Sequence, residues 1–310
     1  MPGPTPSARL GSAAAVRPAP PELVPRDGTG HPPTRDVAEL REAARRIRER
    51  AVRMVAEAGL GYLSQPLSSA ELFAVLYRAV MRHGQDRFVL SPGHYVIAHY
   101  AAAVDAGLLT EQALATYGTD GSWLESISTE RTPLVSATCG SLGQGLSVAV
   151  GFALAAALAG EDRRVHAVLS DGELEEGQIW EAAMLAAHKH LGNLVAVVDC
   201  NGSQVDGPVA TVMTLEPVAD KWRAFGWHAI ELDGHDVSAV LAAFDEAADD
   251  ARPSALVART SPLRGAPSLD GATDAHFVKL PPEAAERCLA DLREGAAGGI
   301  TGAGPGRRAR

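Results

Sequence analysis

The chain has 310 residues with 46% hydrophobic content, which suits one α/β domain with a sizeable core. Its formal net charge of −10 at pH 7 argues against nucleic acid or an anionic membrane as a partner. Its three cysteines are scattered without a paired spacing and indicate neither disulfides nor a zinc site, which fits a reducing cytoplasm.

The first 35 residues are rich in Pro, Gly, Ala and Ser and predict a disordered leader without the apolar segment of a signal peptide. Asp36 to Ala58 follows as a long charged helix with one apolar stripe. Its outer face carries arginines from Arg45 to Arg53 interleaved with glutamates, which indicates a solvated or interface face rather than a nucleic-acid surface. One domain is predicted over residues 36–294, with a Gly-rich flexible tail at 295–310.

The next predicted elements are an amphipathic helix from Ser69 to Met81 and a short strand from Arg87 to Leu90. The strand leads into the segment SPGH, which ends at His94. A histidine that follows glycine at the end of a strand is either a structural residue or a ligand. The residues alone leave both interpretations open.

The segment GSLGQGLS, which begins at Gly140, opens a helix that continues through Ala159. This helix is apolar on every side and is therefore predicted to be buried, although its apolar run is too short to span a bilayer. Its glycines allow the first turn to approach another group closely. The motif indicates either tight helix packing or a weak phosphate loop, since it lacks the lysine of a P-loop.

The centre of the chain contains two short apolar strands, Val165–Leu169 and Leu194–Val198, with a helix between them. The helix is predicted to end at Gly192 and to bury one stripe: Leu174, Trp180, Ala183, Met184, Ala187 and Leu191. Together they predict a right-handed strand–helix–strand crossover. Further helices and strands are predicted at 221–225, 227–232, 237–248 and 255–259. The fold class is therefore α/β, with a doubly wound, mostly parallel sheet and helices on both faces.

Asp171 and Asn201 lie just beyond the two central strands. Because the carboxyl ends of adjacent parallel strands meet at one edge of a sheet, we expect these side chains to lie together. The turn Asp171-Gly172 is also predicted to open a helix, whose N–H groups and dipole favour an anion at the same place. Either residue alone is compatible with an ordinary turn. The pair predicts a Mg²⁺ site beside a phosphate, since carboxylate and amide oxygens suit this ion.

The segments SDGELEEGQIWEA and VVDCNGSQVDG resemble the thiamine diphosphate signature in its transketolase form. The resemblance extends from Asp36 to Leu292 and is close to the separate N-terminal subunit of split transketolases. It implies the thiamine-diphosphate-binding fold, in the domain that holds the diphosphate (PP domain). Ser170 departs from the family pattern, which has Gly at this position. By this resemblance, Mg²⁺ is held by Asp171, Asn201 and the main-chain carbonyl of Ser203, while Gly172 lies against the diphosphate.

The same resemblance assigns further residues to the site. His94 and Asn201 are expected to contact the cofactor, and the backbone around Gly140 and Leu142 is expected to meet its aminopyrimidine ring. The expected catalytic residues of this chain are His276 and Glu176. His276 matches a histidine near the thiazolium ring and the substrate. Glu176 matches an acid that communicates with the partner's catalytic glutamate, although a solvent-facing helix carboxylate is an equal alternative.

The resemblance also implies that a partner is needed. In the family, the glutamate that activates thiamine diphosphate comes from a second domain, for which this sequence has no residues. We therefore expect a separate C-terminal subunit with the pyrimidine-binding domain, an α₂β₂ assembly and an inactive isolated chain.

Ordinary transketolases bind their substrates with two histidines, and the matching positions here are Tyr62 and either Ser126 or Ile127. Tyrosine and serine replace imidazole poorly in proton transfer near neutral pH. The expected function is therefore a cytoplasmic transketolase-like transferase that moves a two-carbon ketol unit from a specialised ketose or 2-oxo donor to an aldehyde-type acceptor. The alternatives are a component of another thiamine diphosphate enzyme, of the 2-oxoacid dehydrogenase or deoxyxylulose-phosphate synthase kind, and a non-catalytic regulatory subunit.

Overall fold

The computed structural model describes residues 33–137, 139–269 and 276–298. These ranges contain ten α-helices and nine strands. The first part contains α1 (Val37–Ala58), β1 (Leu60–Gly61), α2 (Ser64–Val75), β2 (Arg87–Leu90), α3 (Val96–Asp105), α4 (Glu111–Leu114) and α5 (Gln144–Ala159). The second part contains β3 (Val165–Ser170), α6 (Gly177–His188), β4 (Leu194–Cys200), β5 (Ser203–Gln204), β6 (Gly207–Pro208), α7 (Val209–Val212), α8 (Val218–Ala224), β7 (His228–Asp233), α9 (Val237–Asp249), β8 (Ser254–Arg259), β9 (Val278–Lys279) and α10 (Pro282–Gly298).

The middle layer is a five-stranded parallel sheet in the order β2-β3-β4-β8-β7. Strands β3 and β4 are direct neighbours, with Ser170 opposite Asp199, so their carboxyl ends lie side by side. Two short antiparallel pairs, β1 with β9 and β5 with β6, lie outside this sheet. The predicted doubly wound α/β architecture is therefore confirmed.

Helices cover both faces of the sheet because alternate strand residues point into two separate cores. On β3, Val168 belongs to the core that also contains residues of α1, α2, α3 and α9. Its neighbours Ala167 and Leu169 belong to the second core, with residues of α5, α6 and α8. Burial on both faces explains why the strands appear in the sequence as short, uninterrupted apolar runs.

Helix α1 forms because its ends are capped and one side of it is apolar. The Asp36 carboxylate accepts hydrogen bonds from the N–H groups of Ala38 and Glu39, at 2.8 and 3.1 Å. Gly59 ends the helix with φ +79°, a left-handed conformation that glycine adopts without strain. The predicted apolar stripe is buried, including Leu40 and Ile47.

Much of the arginine-rich side of α1 forms ion pairs with neighbouring helices, so the prediction of a solvated or interface face is wrong for Arg48, whereas Arg53 is exposed. Arg48 is only 3% exposed and donates to the Glu71 carboxylate on α2 at 2.5 Å. Arg46 and Arg50 contact Asp105, at the end of α3, at 2.6 and 2.9 Å. These arginines pair with carboxylates that lie far away in the sequence. A local sequence pattern therefore could not predict the ion pairs.

Helix α2 begins at Ser64, five residues before the predicted start at Ser69. Pro66 lies in its first turn, where a missing backbone N–H costs the helix no hydrogen bond. The next residues, Leu76–Val80, form a π-helical turn that ends next to the predicted Met81 boundary. The strands β2, β3, β4, β7 and β8 agree with the predicted ranges to within two residues.

Helix α5 is buried on one face only, which contradicts the prediction of burial on every side. Leu146, Ala149 and Ala153 face the core, whereas Leu158 is 80% exposed and Gly151 is also exposed. Because this helix carries apolar residues on every side, its composition cannot indicate which face packs against the sheet.

Helix α6 also differs from the prediction. Asp171 is followed by a short 3₁₀ turn over Gly172–Glu175, and the α-helix itself begins only at Gly177. Met184, which was assigned to the buried stripe, is 53% exposed, while Ile179 and Ala186 are buried. Gly192 lies beyond the helix end at a close contact, because a side chain there would collide with the backbone of Ala251.

The predicted tail and leader fall mostly outside the described residues. Helix α10 extends to Gly298 and so includes the first residues of the predicted tail. Residues 1–32 of the leader and residues 299–310 of the tail lie outside the described ranges. None of the helices in the described part of the chain has the length and apolar character needed to cross a membrane.

Candidate cofactor site

A cavity opens beside the carboxyl ends of β2, β3 and β4. Predicted site residues contribute much of its lining: His94, Leu142, Asp171, Gly172, Asn201, Ser203 and His276. The other lining residues were not predicted: Gln65, Tyr95, Ser170, Gln204 and Val205. Of the remaining predicted residues, Gly140 and Glu176 do not line the cavity.

Asp171 and Asn201 lie on adjacent loops because β3 and β4 are neighbours in the sheet. One carboxylate oxygen of Asp171 accepts from the N–H of Gly202 at 2.7 Å, and the other accepts from the N–H of Gly172 at 2.9 Å. The side-chain oxygen of Asn201 accepts from the N–H of Ser203 at 2.9 Å. The two loops are therefore joined directly, as the strand order predicts.

The electrostatics of this edge are unusual because acidic groups are buried together. Asp171 is 4% exposed and Asp199 is fully buried. Burial raises the pKa of Asp171 to about 7, the N–H of Gly202 opposes this shift, and Asp199 adds to it. A cation bound to the Asp171 carboxylate would offset this unfavourable concentration of negative charge.

Asp199 orients Asn201 from behind and is a residue that the sequence analysis missed. Its carboxylate accepts hydrogen bonds from Ser68 at 2.6 Å, Tyr95 at 2.9 Å and the Asn201 amide at 3.2 Å, and also from Thr260. Because the side-chain nitrogen of Asn201 donates to Asp199, its side-chain oxygen lies on the side away from Asp199. The sequence feature that could have identified Asp199 is a carboxylate within the otherwise apolar strand Leu194–Cys200.

Glu173 is a second buried carboxylate that the sequence analysis missed. It is 0% exposed and accepts from the hydroxyl of Ser91, the N–H of Gly143 at 2.8 Å and the N–H of Ser170 at 3.1 Å. Burial raises its pKa to about 7, while these hydrogen bonds oppose the shift. The signal for this residue was weak, because it stands in an acidic run with Glu175 and Glu176.

Aromatic and imidazole rings form the other end of the site. The His94 ring lies 4.9 Å from that of His276 and 5.2 Å from that of Tyr62, measured between centroids. Gln65 contacts Nδ1 of His276 at 3.0 Å. Burial, with a smaller effect of His276, lowers the pKa of His94 to about 3, so its imidazole is neutral near pH 7.

The glycine-rich segment before α5 meets the cavity through Leu142, which is 36% exposed. Gly143 has φ +83°, and a side chain there would collide with Glu176 and Gln178. Gln178 in turn donates to the carbonyl of Leu142 at 2.9 Å. Glu176 is exposed at the start of α6, which places it beside this segment and outside the cavity.

Comparison with known proteins identifies the family. A model of the transketolase thiamine diphosphate binding domain matches residues 40–288. The chain belongs to the transketolase family. An uncharacterised transketolase family protein from Sinorhizobium fredii is 42% identical over 255 residues, covering 79% of this chain and 91% of that protein. The predicted membership is thereby confirmed, as is the prediction of a transketolase-like transferase subunit.

Two further relatives show how much of a transketolase this chain represents. The 6-deoxy-6-sulfo-D-fructose transketolase subunit SqwG of Clostridium sp. is 37% identical, with 83% of this chain covering 98% of that subunit. The crystal structure of transketolase from Campylobacter jejuni has a TM-score of 0.76 and 27% identity. That match covers 82% of this chain but only 42% of the Campylobacter chain. This transketolase-family chain thus corresponds to the thiamine-diphosphate-binding part of a longer enzyme.

Proposed function

We propose that this chain is the diphosphate- and magnesium-binding subunit of a two-chain transketolase-like enzyme that transfers a two-carbon ketol unit. The observation that carries the proposal is the cavity in which Asp171, Asn201 and His94 meet, in a chain of the transketolase family. When bound, thiamine diphosphate supplies the carbon nucleophile that breaks a carbon–carbon bond beside a carbonyl group.

The proposed Mg²⁺ ligands are Asp171, Asn201 and the main-chain carbonyl of Ser203. Among the described residues, no group of three or more His, Cys, Asp or Glu side chains is placed to hold a metal ion. A site with one carboxylate, one amide and one carbonyl nevertheless fits Mg²⁺, which retains waters and takes substrate phosphate oxygens as ligands. The burial of Asp171 near the Asp199 carboxylate supports this assignment, because a bound cation would favour the ionised form of Asp171.

The remaining proposed contacts follow from positions around the cavity. The neutral His94 imidazole offers an N–H donor to the diphosphate, beside Gly172. Gly140 and Leu142 are proposed to meet the aminopyrimidine ring through their backbone. His276, which Gln65 orients, is proposed to hold and move protons on the substrate, since imidazole serves as acid and base near neutral pH.

The second half of the active site is proposed to come from another chain. The match to nearly all of a transketolase subunit, SqwG, but to 42% of the longer Campylobacter enzyme supports this division. The partner would carry the pyrimidine-binding domain in an α₂β₂ cytoplasmic enzyme. Glu176 supports the same arrangement, because its carboxylate is exposed beside the cofactor site and available to a neighbouring subunit.

The proposed substrates are a specialised ketose or 2-oxo donor and an aldehyde-type acceptor. Tyr62 lies against His94 and His276, at centroid distances of 5.2 and 5.6 Å, where it presents a phenol ring. Ile127 lies close to Gly93, the residue that precedes His94. A phenol at Tyr62, and either a hydroxyl at Ser126 or an aliphatic group at Ile127, in place of the two substrate histidines of ordinary transketolases support a specialised donor or acceptor. The sulfo-sugar named for the relative SqwG supports an unusual ketose.

Cofactor binding tests the proposal. Asp171→Ala removes the carboxylate, so we expect Mg²⁺-dependent binding of thiamine diphosphate to weaken by about 100-fold or more, on the order of one lost charged ligand. Isothermal titration of the chain, alone and mixed with a candidate C-terminal subunit, measures the dissociation constant. Asp162→Ala is the matched control, because Asp162 is exposed and pairs with Arg82 away from the cavity.

The binding measurement also separates the proposal from its alternatives. Wild-type protein that binds no thiamine diphosphate, either alone or in the mixture, would contradict the proposed function. Normal binding by Asp171→Ala would remove the metal assignment. Binding without turnover in the reconstituted mixture would favour a regulatory subunit, against which the intact polar lining of the cavity argues.

A further inference from the structure

Glu173 lies behind the cofactor cavity at the meeting point of separate loops. It is 0% exposed, and it is not part of the cavity lining. Its carboxylate accepts from the Ser91 hydroxyl and from the backbone N–H groups of Gly143 and Ser170. The first two donors share Oε1, while the third uses Oε2. One buried side chain therefore joins segments that are 82 and 30 residues away in sequence.

Two of the donors directly adjoin a residue that lines the cavity, and the third, Ser91, lies three residues before one. Ser91 begins the turn that leads to His94, and Gly143 directly follows Leu142. Ser170 directly precedes Asp171. A displacement of any one donor would therefore move a residue that is proposed to bind the cofactor.

The packing around these donors leaves little room for adjustment. Gly145, in the first turn of α5, has no space for a side chain, because a Cβ there would lie 2.4 Å from that of Ser91. The Ser91 hydroxyl is consequently held between the helix and the Glu173 carboxylate. Without an acceptor at this place, the buried N–H groups of Gly143 and Ser170 would lose their partner, which is costly in a protein interior.

We propose that Glu173 is a positioning residue that holds the loops of His94, Leu142 and Asp171 in the arrangement that thiamine diphosphate requires. This inference rests on the proposed function for its ligand, while the joining of the loops rests on the hydrogen bonds alone. Glu173 does not contact the cofactor cavity itself and acts through the residues beside its donors.

Glu173→Gln tests the proposal with little change in shape. The amide oxygen can replace Oε1, but the amide NH₂ then faces the N–H of Ser170, so that two donors oppose each other. Ser91→Ala removes one donor and leaves Glu173 in place, and it provides a second test if Glu173→Gln does not fold. Glu57→Gln, at an exposed position on α1, is the matched control.

Hydrogen exchange of the full chain reports whether the loops are joined. We expect amide exchange near residues 143 and 170 to accelerate about tenfold or more in Glu173→Gln, the effect of losing a charge-assisted hydrogen bond. Exchange in β4 and β8 should stay at the wild-type rate, as should all exchange in Glu57→Gln. Unchanged loop exchange, or equal acceleration throughout the domain, would overturn the proposal.

Cofactor titration then separates positioning from stability. In the form of the protein that binds thiamine diphosphate, we expect Glu173→Gln to raise the dissociation constant about tenfold at a temperature where it remains folded. A variant with a lower melting temperature but unchanged affinity would show a structural role only and would refute positioning. If wild-type protein binds no cofactor, the proposed function fails, whereas the exchange result still decides whether Glu173 joins the loops.

Discussion

His166 is a buried imidazole inside the central sheet, away from the cofactor cavity. It lies on β3, is 1% exposed, and contacts the Phe244 ring at a centroid distance of 6.1 Å. Neither ring nitrogen has a hydrogen-bond partner among the described residues. Burial lowers its pKa to about 4, although the nearby Asp86 carboxylate opposes the shift. The folded chain therefore keeps this histidine neutral where an unfolded chain would protonate it.

This shift predicts how stability depends on pH. Because the pKa of folded His166 lies below the unfolded value of about 6.5, its contribution is intact above pH 6.5 and is lost as pH falls toward 4. In His166→Leu, we expect the loss of unfolding free energy between pH 7.5 and 5.5 to be smaller by about 1 kcal/mol. Urea unfolding at both pH values measures the difference.

The control for this experiment is the exposed His188 on α6. His188→Leu removes an imidazole from an exposed position, so an effect seen only in His166→Leu belongs to the buried ring. An equal pH dependence in His166→Leu and wild type would show that His166 does not account for the loss at acid pH.

At the scale of elements, local patterns predicted the strands and the meeting of Asp171 with Asn201. Those predictions succeed because parallel strands need apolar runs and place their carboxyl ends at one edge. Patterns did not predict Asp199 or Glu173 as centres of hydrogen bonding. Their partners lie up to 131 residues away, so only the assembled fold brings them together. The exposure of one face of α5 was not predicted for another reason, namely that this helix carries apolar residues on every side.

Two glycines on α5 provide a matched pair for testing how closely this helix packs. A side chain at Gly145 would meet Ser91 at 2.4 Å, whereas no atom lies within 4 Å of one at Gly151. We expect Gly145→Ala to destabilise the domain by about 1–3 kcal/mol through overpacking. Gly151→Ala should stabilise it by about 0.5–1 kcal/mol, because alanine favours the helix.

Urea unfolding of both variants gives these free energies, and cofactor titration adds a second measurement. Gly145→Ala should also weaken thiamine diphosphate binding, because Ser91 leads to His94. Gly151→Ala should bind like wild type. Equal stability of the two variants would mean that the first turn of α5 is not held against Ser91.

At the scale of the whole molecule, the chain offers a cofactor cavity at one edge of its sheet and corresponds to 42% of the Campylobacter transketolase. Under the proposed function, Glu176 meets the partner subunit at this edge, and the residues around Tyr62 meet the substrate. Composition predicted a single domain without a nucleic-acid partner. Under the proposed function, the substrate contacts would be divided between this chain and the partner, so the sugar is set by both chains together.

Turnover by the separated and mixed subunits tests this division. We expect the isolated chain to be inactive and the mixture with its C-terminal partner to be active. With xylulose 5-phosphate and ribose 5-phosphate, the mixture should be slower than an ordinary transketolase by about 100-fold or more, the typical contribution of one acid–base group. A coupled spectrophotometric assay measures both rates. Turnover by the lone chain, or ordinary rates with these sugars, would contradict the respective expectation.

The strand order has a consequence for the order of events during synthesis. Strand β8 lies between β4 and β7, although it leaves the ribosome after both of them. Until residue 259 has emerged, β7 has no neighbour with which to pair, and one edge of β4 stays open. Nascent chains that stall before this point would therefore expose an unpaired, aggregation-prone strand edge. Chaperones should bind these chains more often than chains that have passed residue 259.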